Sequence, residues 1–378
     1  MSPSAAPAGT ASATAESVKG VSYWTIVRRQ IRKDRLAMTG LGIILFLALV
    51  ALLAPLLAND RPVVMKYRGK VLFPAFTTYL DSFPVPRFVA DPLRKVRFLS
   101  DYYPELGGRR FKEVVADIEA GRGSPGDWAV MPRVAYGFAE INPLQIKRRP
   151  GEDGHVLGTD DTGADVLSRM IHGTIISLSV GIVAVGIYVV IGVVLGSIAG
   201  YFGGWIDMGT MRLIEIMICF PTFFLIITVI AFLPRSIYNI MIVIGITSWP
   251  GVARLIRGEM LKAKTLDYVM ASRALGVPAV RTIFREMLPN TVAPVLVSAT
   301  FGVAGAILIE TSLSFLGFGV APPTASWGEI VSQGRTYVTE GLYHLVIWPG
   351  LAICLTLIAF NLAGQGLRDA MDPRLRDT

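Results

Sequence analysis

The chain has 378 residues, of which 52% are hydrophobic and 17% charged, and its 36 Lys and Arg outweigh 28 Asp and Glu to leave a net charge of +8. A soluble globular domain carries about 25% charged residues, so this composition, with a mean hydropathy of +0.54, excludes an ordinary soluble enzyme. The apolar residues gather into long runs, which places the chain in a membrane.

The first twenty residues, Met1–Gly20, are rich in Ala, Ser, Thr and Pro and read as a disordered tail. Met38–Ala58 follows as the first membrane helix. It starts too far into the chain, and is too long, to be a cleaved signal peptide. Five more spans are expected over Ile175–Ala199, Leu213–Leu233, Ile237–Val252, Val292–Ser314 and Leu345–Leu362. The fourth of the six is short and contains Trp249-Pro250, and the fifth is diluted by small residues. The fold class is therefore an all-α polytopic membrane protein with six transmembrane helices. Its divisions are a tail over residues 1–36, a first span over 37–58, an insert over 59–172, a core over 173–366 and a second tail over 367–378.

Basic residues orient this arrangement, because loops rich in Lys and Arg stay in the cytoplasm. Lys19, Arg28, Arg29, Arg32, Lys33 and Arg35 precede the first helix against only Glu16 and Asp34. Arg254, Arg257, Lys262, Lys264, Arg273, Arg281 and Arg285 follow the fourth against Glu259, Asp267 and Glu286. These two segments hold the whole charge of +8 between them. The high net charge thus reports topology, and nucleic acid is not implied as a partner. An even number of helices puts both termini and the second basic loop on the cytoplasmic face. The insert is then extracytoplasmic, and its fold is not readable from its sequence.

Before the second helix stands His155-Val-Leu-Gly-Thr-Asp160-Asp-Thr-Gly-Ala-Asp165-Val-Leu-Ser-Arg169. Asp160 to Thr162 suit the cap of a short amphipathic helix, and Asp165 is spaced to pair with Arg169 one turn on. His155, Asp160, Asp161 and Asp165 are metal-donor types, but their spacing fits neither a zinc pattern nor a calcium loop. No metal site is assigned. Gly192, Gly196 and Gly200 lie one turn apart and make a flat face for close helix packing, either inside one bundle or between subunits. Tyr201-Phe-Gly-Gly-Trp-Ile-Asp207 then forms a cytoplasmic turn. In the second basic loop, Asp267-Tyr-Val-Met-Ala-Ser-Arg-Ala-Leu-Gly276 is followed by Val277-Pro278 and, further on, Leu288-Pro289-Asn290. Gly276 suits the turn that ends a helix.

Glu310, in Glu310-Thr-Ser-Leu-Ser-Phe-Leu-Gly-Phe-Gly319, is taken as the one ionisable residue well inside a predicted span. Acids at such depth face a protein interior or a wet path. Glu310 either lines a translocation path or braces its outer gate, the alternative being a helix-end acid that reaches the headgroups. Cys219 and Cys354 fall in predicted spans and read as small packing residues.

These stretches together resemble the C-type permease subunits of bacterial dipeptide and oligopeptide ABC importers, from Trp24 to Pro373. Residues 257–290 resemble the EAA loop through Ala271, Gly276, Leu288 and Pro289, with departures at Met270, where Glu is usual, and Ser272, where Ala is usual. Within the insert, Leu57-Ala-Asn-Asp-Arg-Pro62, Tyr67-Arg-Gly69, Phe73-Pro74, Tyr136-Gly137 and Ile141-Asn142 resemble the YejE-like peptide permease branch. The resemblance implies the type I ABC importer permease fold in a bacterial inner membrane. It implies coupling to ATPases through Asp267, Met270, Ala271, Ser272, Gly276, Val277, Pro278, Leu288 and Pro289. It also implies a homologous second permease, two ATPase domains, an extracytoplasmic peptide-binding protein and a peptide substrate.

No G-x-x-x-x-G-K-[ST] phosphate loop occurs, since Gly69-Lys70 lacks the earlier glycine and the Ser or Thr. ATP and Mg are accordingly expected on partner chains, with no cofactor on this one and no catalytic residues. A proton-coupled secondary transporter would need ionisable residues near the midplane beyond Glu310. An intramembrane hydrolase would need a paired nucleophile and base, whereas His155, His172 and His344 sit outside the spans or at their ends.

Overall fold

A computed structural model describes residues 23–84, 86, 103, 106 and 108–371. The tail expected over Met1–Gly20 lies outside the described residues, as do the last seven residues of the expected C-terminal tail. Helix α1 (Tyr23–Lys33) is basic and amphipathic. It lays Val27 and Ile31 against Leu367, Ala370 and Met371 near the other end of the chain. Asp34 separates it from α2 (Arg35–Leu57), accepting from the backbone N–H groups of Leu36 at 2.9 Å and Ala37 at 3.2 Å. Such a cap satisfies amides that a helix start leaves open.

The insert carries a three-stranded antiparallel sheet, which the sequence did not reveal. Its strands β1 (Val64–Tyr67), β2 (Lys70–Leu72) and β3 (Trp128–Val130) lie in the order β2-β1-β3, with Met65 opposite Leu72 and Lys66 opposite Trp128. Arg68 and Gly69 join β1 to β2 with φ of 50° and 77°, the two positive values a tight two-residue hairpin turn requires. Short helices α3 (Thr78–Ser82) and α4 (Phe111–Glu119) complete it, and Val114 of α4 closes a small core with Met65, Tyr67, Leu72 and Leu106. The subdomain is tied to the bundle at His172, which bonds the Ala58 carbonyl through Nε2 at 2.8 Å and the Ser82 hydroxyl through Nδ1 at 3.1 Å.

Helix α5 (Val166–Phe202) follows, then α6 (Gly204–Cys219), α7 (Thr222–Ala231) and α8 (Ile237–Ala263). A loop helix α9 (Asp267–Ala274) precedes α10 (Ala293–Phe315), α11 (Trp327–Tyr337) and α12 (His344–Met371). Among the described residues α2, α5, α8, α10 and α12 are long and apolar enough to cross a membrane, and α6 with α7 adds a sixth if the bent pair is counted as one span. That span was expected as one helix over Leu213–Leu233, but α6 and α7 meet at 79°. The break falls at Phe220-Pro221, where Phe220 is extended with ψ 127°. Proline lacks an amide and disfavours helical geometry in the residue before it.

Three boundaries also move. Helix α5 starts at Val166, inside the stretch assigned to the insert, and α12 continues to Met371, inside the stretch assigned to the tail. Helix α8 runs through Pro250 to Ala263, so Arg254 and Arg257 are helical residues and the loop begins later than residue 257.

Helix α5 is the centre of the bundle and packs most closely on α8. A Cβ at Gly192 would lie 2.7 Å from Val252 Cβ, and one at Gly200 would lie 2.7 Å from Met260 Cβ. Gly196 faces Ala253 and Ile256 between them. Of the two readings of this glycine face, the structure shows packing within one bundle, since α8 of the same chain fills it. Cys219 and Cys354 are free and sit on outward faces, so neither packs into this core.

Candidate functional site

Two clusters mark opposite ends of the bundle, one at the loop between α8 and α10 and one beside the insert. The loop is a helical elbow. Its first arm, α9, ends at Gly276, whose φ is +73°. The Gly276 N–H donates to the Arg273 carbonyl at 3.0 Å and the Val277 N–H to the Ser272 carbonyl at 3.1 Å. This pair of reversed bonds is a Schellman cap, and it needs a left-handed residue where Gly276 stands. Pro278 then opens the second arm, made of Ala279–Arg281, Thr282–Met287 and Leu288–Thr291, the middle piece being a π-helix. Pro289 explains that widened turn. It has no amide to bond the carbonyl four residues back, and its ring needs the space there.

The elbow is fixed to the bundle on one side and open on the other. Val269, Ile283 and Met287 are buried in the main core. Ser272 donates to Glu286, clipping the two arms together, and the Arg273 guanidinium lies 4.5 Å from the Tyr201 ring centroid at the end of α5. On the open side, Leu275 is 82% exposed and Val280 69%, with Met270 and Asp267 beside them. Exposed apolar residues on a rigid, polar-flanked elbow are the mark of a protein-docking surface. The expected residues fall together here. Asp267, Met270, Ala271, Gly276, Pro278 and Pro289 are exposed, while Ser272, Val277 and Leu288 are half-buried. Arg257 is not available to a partner, because it forms an ion pair with Asp207 at the start of α6, with Nη2 2.7 Å from Oδ2. Lys262 pairs with Glu259 at 2.8 Å.

At the other end, α10 stops with a second Schellman cap. Gly317, with φ +86°, donates to Ser314 at 2.9 Å and Phe318 donates to Leu313 at 2.8 Å. Glu310 is 0% exposed, so the reading in which it reaches the headgroups is incorrect. Its Oε1 accepts from Ser314 Oγ at 2.8 Å and Ser326 Oγ at 2.7 Å. Ser326 in turn caps α11 by accepting from the Glu329 amide at 3.1 Å. Gly328 allows the approach, since a Cβ there would lie 2.7 Å from Thr311 Cα. Trp327, fully buried, donates from Nε1 to the Met170 carbonyl of α5 at 3.1 Å. Glu310 therefore holds the start of α11 in place between α5 and α10.

Arg169 supports α11 from the other side. It is buried and bonds Asp160, Gln333 Oε1 at 3.0 Å and Glu329 Oε2 at 2.6 Å. Burial pushes the Glu329 carboxyl above its ordinary range, with the Arg169 guanidinium opposing. The expected Asp165–Arg169 pair is thus incorrect. Asp165 caps α5 by accepting from Ser168 N at 2.7 Å and binds His155 Nδ1 at 2.7 Å, which leaves Arg169 to Asp160. Asp160 Oδ1 takes the amides of Thr162 at 2.8 Å and Ala164 at 2.9 Å, so it organises a loop rather than starting a helix. Helix α11 and its partners Glu329 and Gln333 were missed by the sequence reading. A signal was present, since Ser326-Trp-Gly-Glu329 has the S-x-x-E spacing of a helix start. Also missed were Arg212 and Glu215, which lie mid-helix in α6 and pair with each other at 2.7 Å.

Comparison with known proteins agrees with this architecture. Residues 192–377 match the family model described as the binding-protein-dependent transport system inner membrane component, and residues 22–70 match the N-terminal TM domain of oligopeptide transport permease C. The chain is 39% identical over 239 residues to a dipeptide transport system permease protein DppC of Alkalihalophilus pseudofirmus, covering 63% of this chain and 78% of that one. It is 39% identical over 241 residues to the oligopeptide transport system permease protein OppC of Bacillus subtilis, covering 64% and 78%. With a peptidoglycan transport system permease protein YejE of Agrobacterium fabrum, identity is 31% over 356 residues and 87% of each chain is covered. That wider match takes in more of the chain than the other two. The chain belongs to the binding-protein-dependent transport system inner membrane component family, as a multi-pass membrane permease subunit and not an enzyme.

Proposed function

We propose that this chain is the permease subunit of an ATP-driven importer of oligopeptides or peptide-like compounds, with both termini and the α9 elbow in the cytoplasm. The observation that carries the reading is the elbow itself. It is an anchored helical turn whose tip, Leu275 and Val280, is exposed among the described residues. Two ATPase domains, holding ATP and Mg, seat on that tip and transmit closure through Val269, Ile283 and Met287 into the bundle. A homologous second permease completes the path, and an extracytoplasmic binding protein delivers the peptide on the insert side. Glu310, Ser326 and Arg169 brace α11 at the outer mouth. The peptide class is supported by what the related permeases are named for, a dipeptide, an oligopeptide and a peptidoglycan system.

The test is a mild-detergent pull-down of the tagged chain from native membranes, with mass spectrometry of its companions. The reading expects a second permease and ATPase subunits. Their absence from a preparation that still mediates uptake without ATP would refute it and favour a secondary transporter.

A further inference from the structure

Helix α6 carries an ion pair in a place where lipid would not hold one. Arg212 Nη1 meets Glu215 Oε2 at 2.7 Å, and their side chains are 74% and 50% exposed. Among the described residues, neither has another hydrogen bond or ion pair. Ile214 is buried in the main core, and Met211 and Met217 pack beside it. Arg212 and Glu215 therefore point away from this chain's own core. At about 100° per residue, Arg212 and Glu215 lie about 60° apart, Ile216 borders Arg212 one turn on, and Leu213 lies further round, about 100° from Arg212. The helix thus turns one side to the core, and the ion pair stands outside that side with apolar residues bordering it.

The depth of the pair follows from the chain path. Asp207, at the start of α6, is held by Arg257 of α8 at the cytoplasmic level. Tyr238, near the other end of α8, lines a cavity with Asn59 and Asp60 of the insert. The stretch of α8 between Arg257 and Tyr238 rises about 28 Å, close to the thickness of a bilayer core. The segment after Asp207 must climb the same height. Helix α7 has 10 residues and supplies at most about 15 Å. The link to α8 is no extended strand, since the Asn239 side chain donates back to the Pro234 carbonyl at 2.8 Å. Helix α6 must carry much of the climb. Arg212 and Glu215 lie about 8 and 12 Å along it from Asp207, which puts them in the cytoplasmic half of the membrane.

Ionisable residues at such depth face a protein interior or a water-filled cavity, and pair with one another. This pair faces neither its own core nor, at acceptable cost, lipid. We propose that Arg212 and Glu215 line the inner half of the translocation path, where they receive the carboxylate and ammonium groups of a peptide in transit. This rests on the importer reading above. An adjacent cation and anion match the two charges every free peptide carries, and each bond to a charged group is worth about 1.5–3 kcal/mol, roughly ten- to a hundredfold in occupancy.

The test uses the whole transporter in proteoliposomes. Arg212→Cys, Glu215→Cys and Leu213→Cys are each made on a Cys219→Ser, Cys354→Ser background and treated with a membrane-impermeant thiol reagent from the ATPase side. The first two should react at least about tenfold faster than Leu213→Cys, and added peptide should slow them. In parallel, the Arg212→Leu, Glu215→Leu double variant should assemble and hydrolyse ATP but lose about tenfold in peptide uptake. Thiol reactivity no greater than that of Leu213→Cys, reactivity indifferent to peptide, or full uptake by the double-leucine variant would each overturn the inference. Lack of uptake by the unmodified transporter would instead refute the importer reading.

Discussion

Replacing Gly276 by valine should break coupling while leaving the bundle intact. Gly276 has φ +73°, and a Cβ built there meets nothing within 4 Å. The cost of a side chain is therefore torsional and not steric. Holding an L-residue in the left-handed region costs about 1–2 kcal/mol, with β-branched residues at the high end. At about 1.4 kcal/mol per tenfold, the Schellman-capped elbow becomes roughly 5–30-fold less populated against its opened forms. Asparagine visits this region more readily, so Gly276→Asn should fall between glycine and valine. The assay is the number of substrate molecules taken up per ATP hydrolysed by the reconstituted transporter. The expected order is Gly, then Asn, then Val, with hydrolysis persisting throughout. Equal ratios for Gly276→Val and the unmodified chain would refute the reasoning. An equal loss for Asn and Val would show that bulk at the docking surface matters and backbone angle does not.

The remaining predictions concern the cluster beside the insert. Arg169→Leu strands Asp160 and Glu329 as buried acids without their cation, a loss of about 3–5 kcal/mol that should lower the thermal midpoint in detergent. Glu329 binds its proton more readily folded than unfolded, since burial raises its carboxyl. Between the ordinary carboxylate range and that raised value, the native state holds the extra proton. Stability should therefore fall as pH rises through this window and be flat above it, and Glu329→Gln should remove the slope. Glu310→Gln keeps the acceptor used by Ser314 and Ser326 and should retain uptake, whereas Glu310→Ala removes it at about 1–3 kcal/mol. Loss of uptake by a well-expressed Glu310→Gln variant would show that the charge itself serves transport.

Much of this molecule was legible in its sequence because membranes impose simple rules. The five unbroken spans overlap the expected runs, and the Gly276 turn is where a residue tolerant of positive φ had to be. The sixth span was misread as straight because hydropathy averages over Phe220-Pro221 and does not register direction. The same averaging hid Glu215 in a run that is apolar overall, and Arg212 stands just before that run. Partner choice was harder still. Asp165 has the spacing to reach Arg169, but Asp160 is placed by its own loop to take that cation and His155 is placed to take Asp165. Helix α11 is short and amphipathic, and its only local sign is the Ser326–Glu329 spacing. The glycines of α5 left bundle and interface equally open, and only the position of Val252 and Met260 chose between them.

The central claim is that this chain moves its substrate only when partner ATPases drive it through the α9 elbow. The most direct measurement is uptake of a labelled oligopeptide into proteoliposomes holding the chain with its co-purified companions and binding protein. ATP, or a non-hydrolysable analogue, is supplied on the ATPase side. The account predicts uptake with ATP and none with the analogue, and loss of that uptake when Leu275 and Val280 are both replaced by aspartate. Equal uptake with either nucleotide, or by the chain alone, would contradict it.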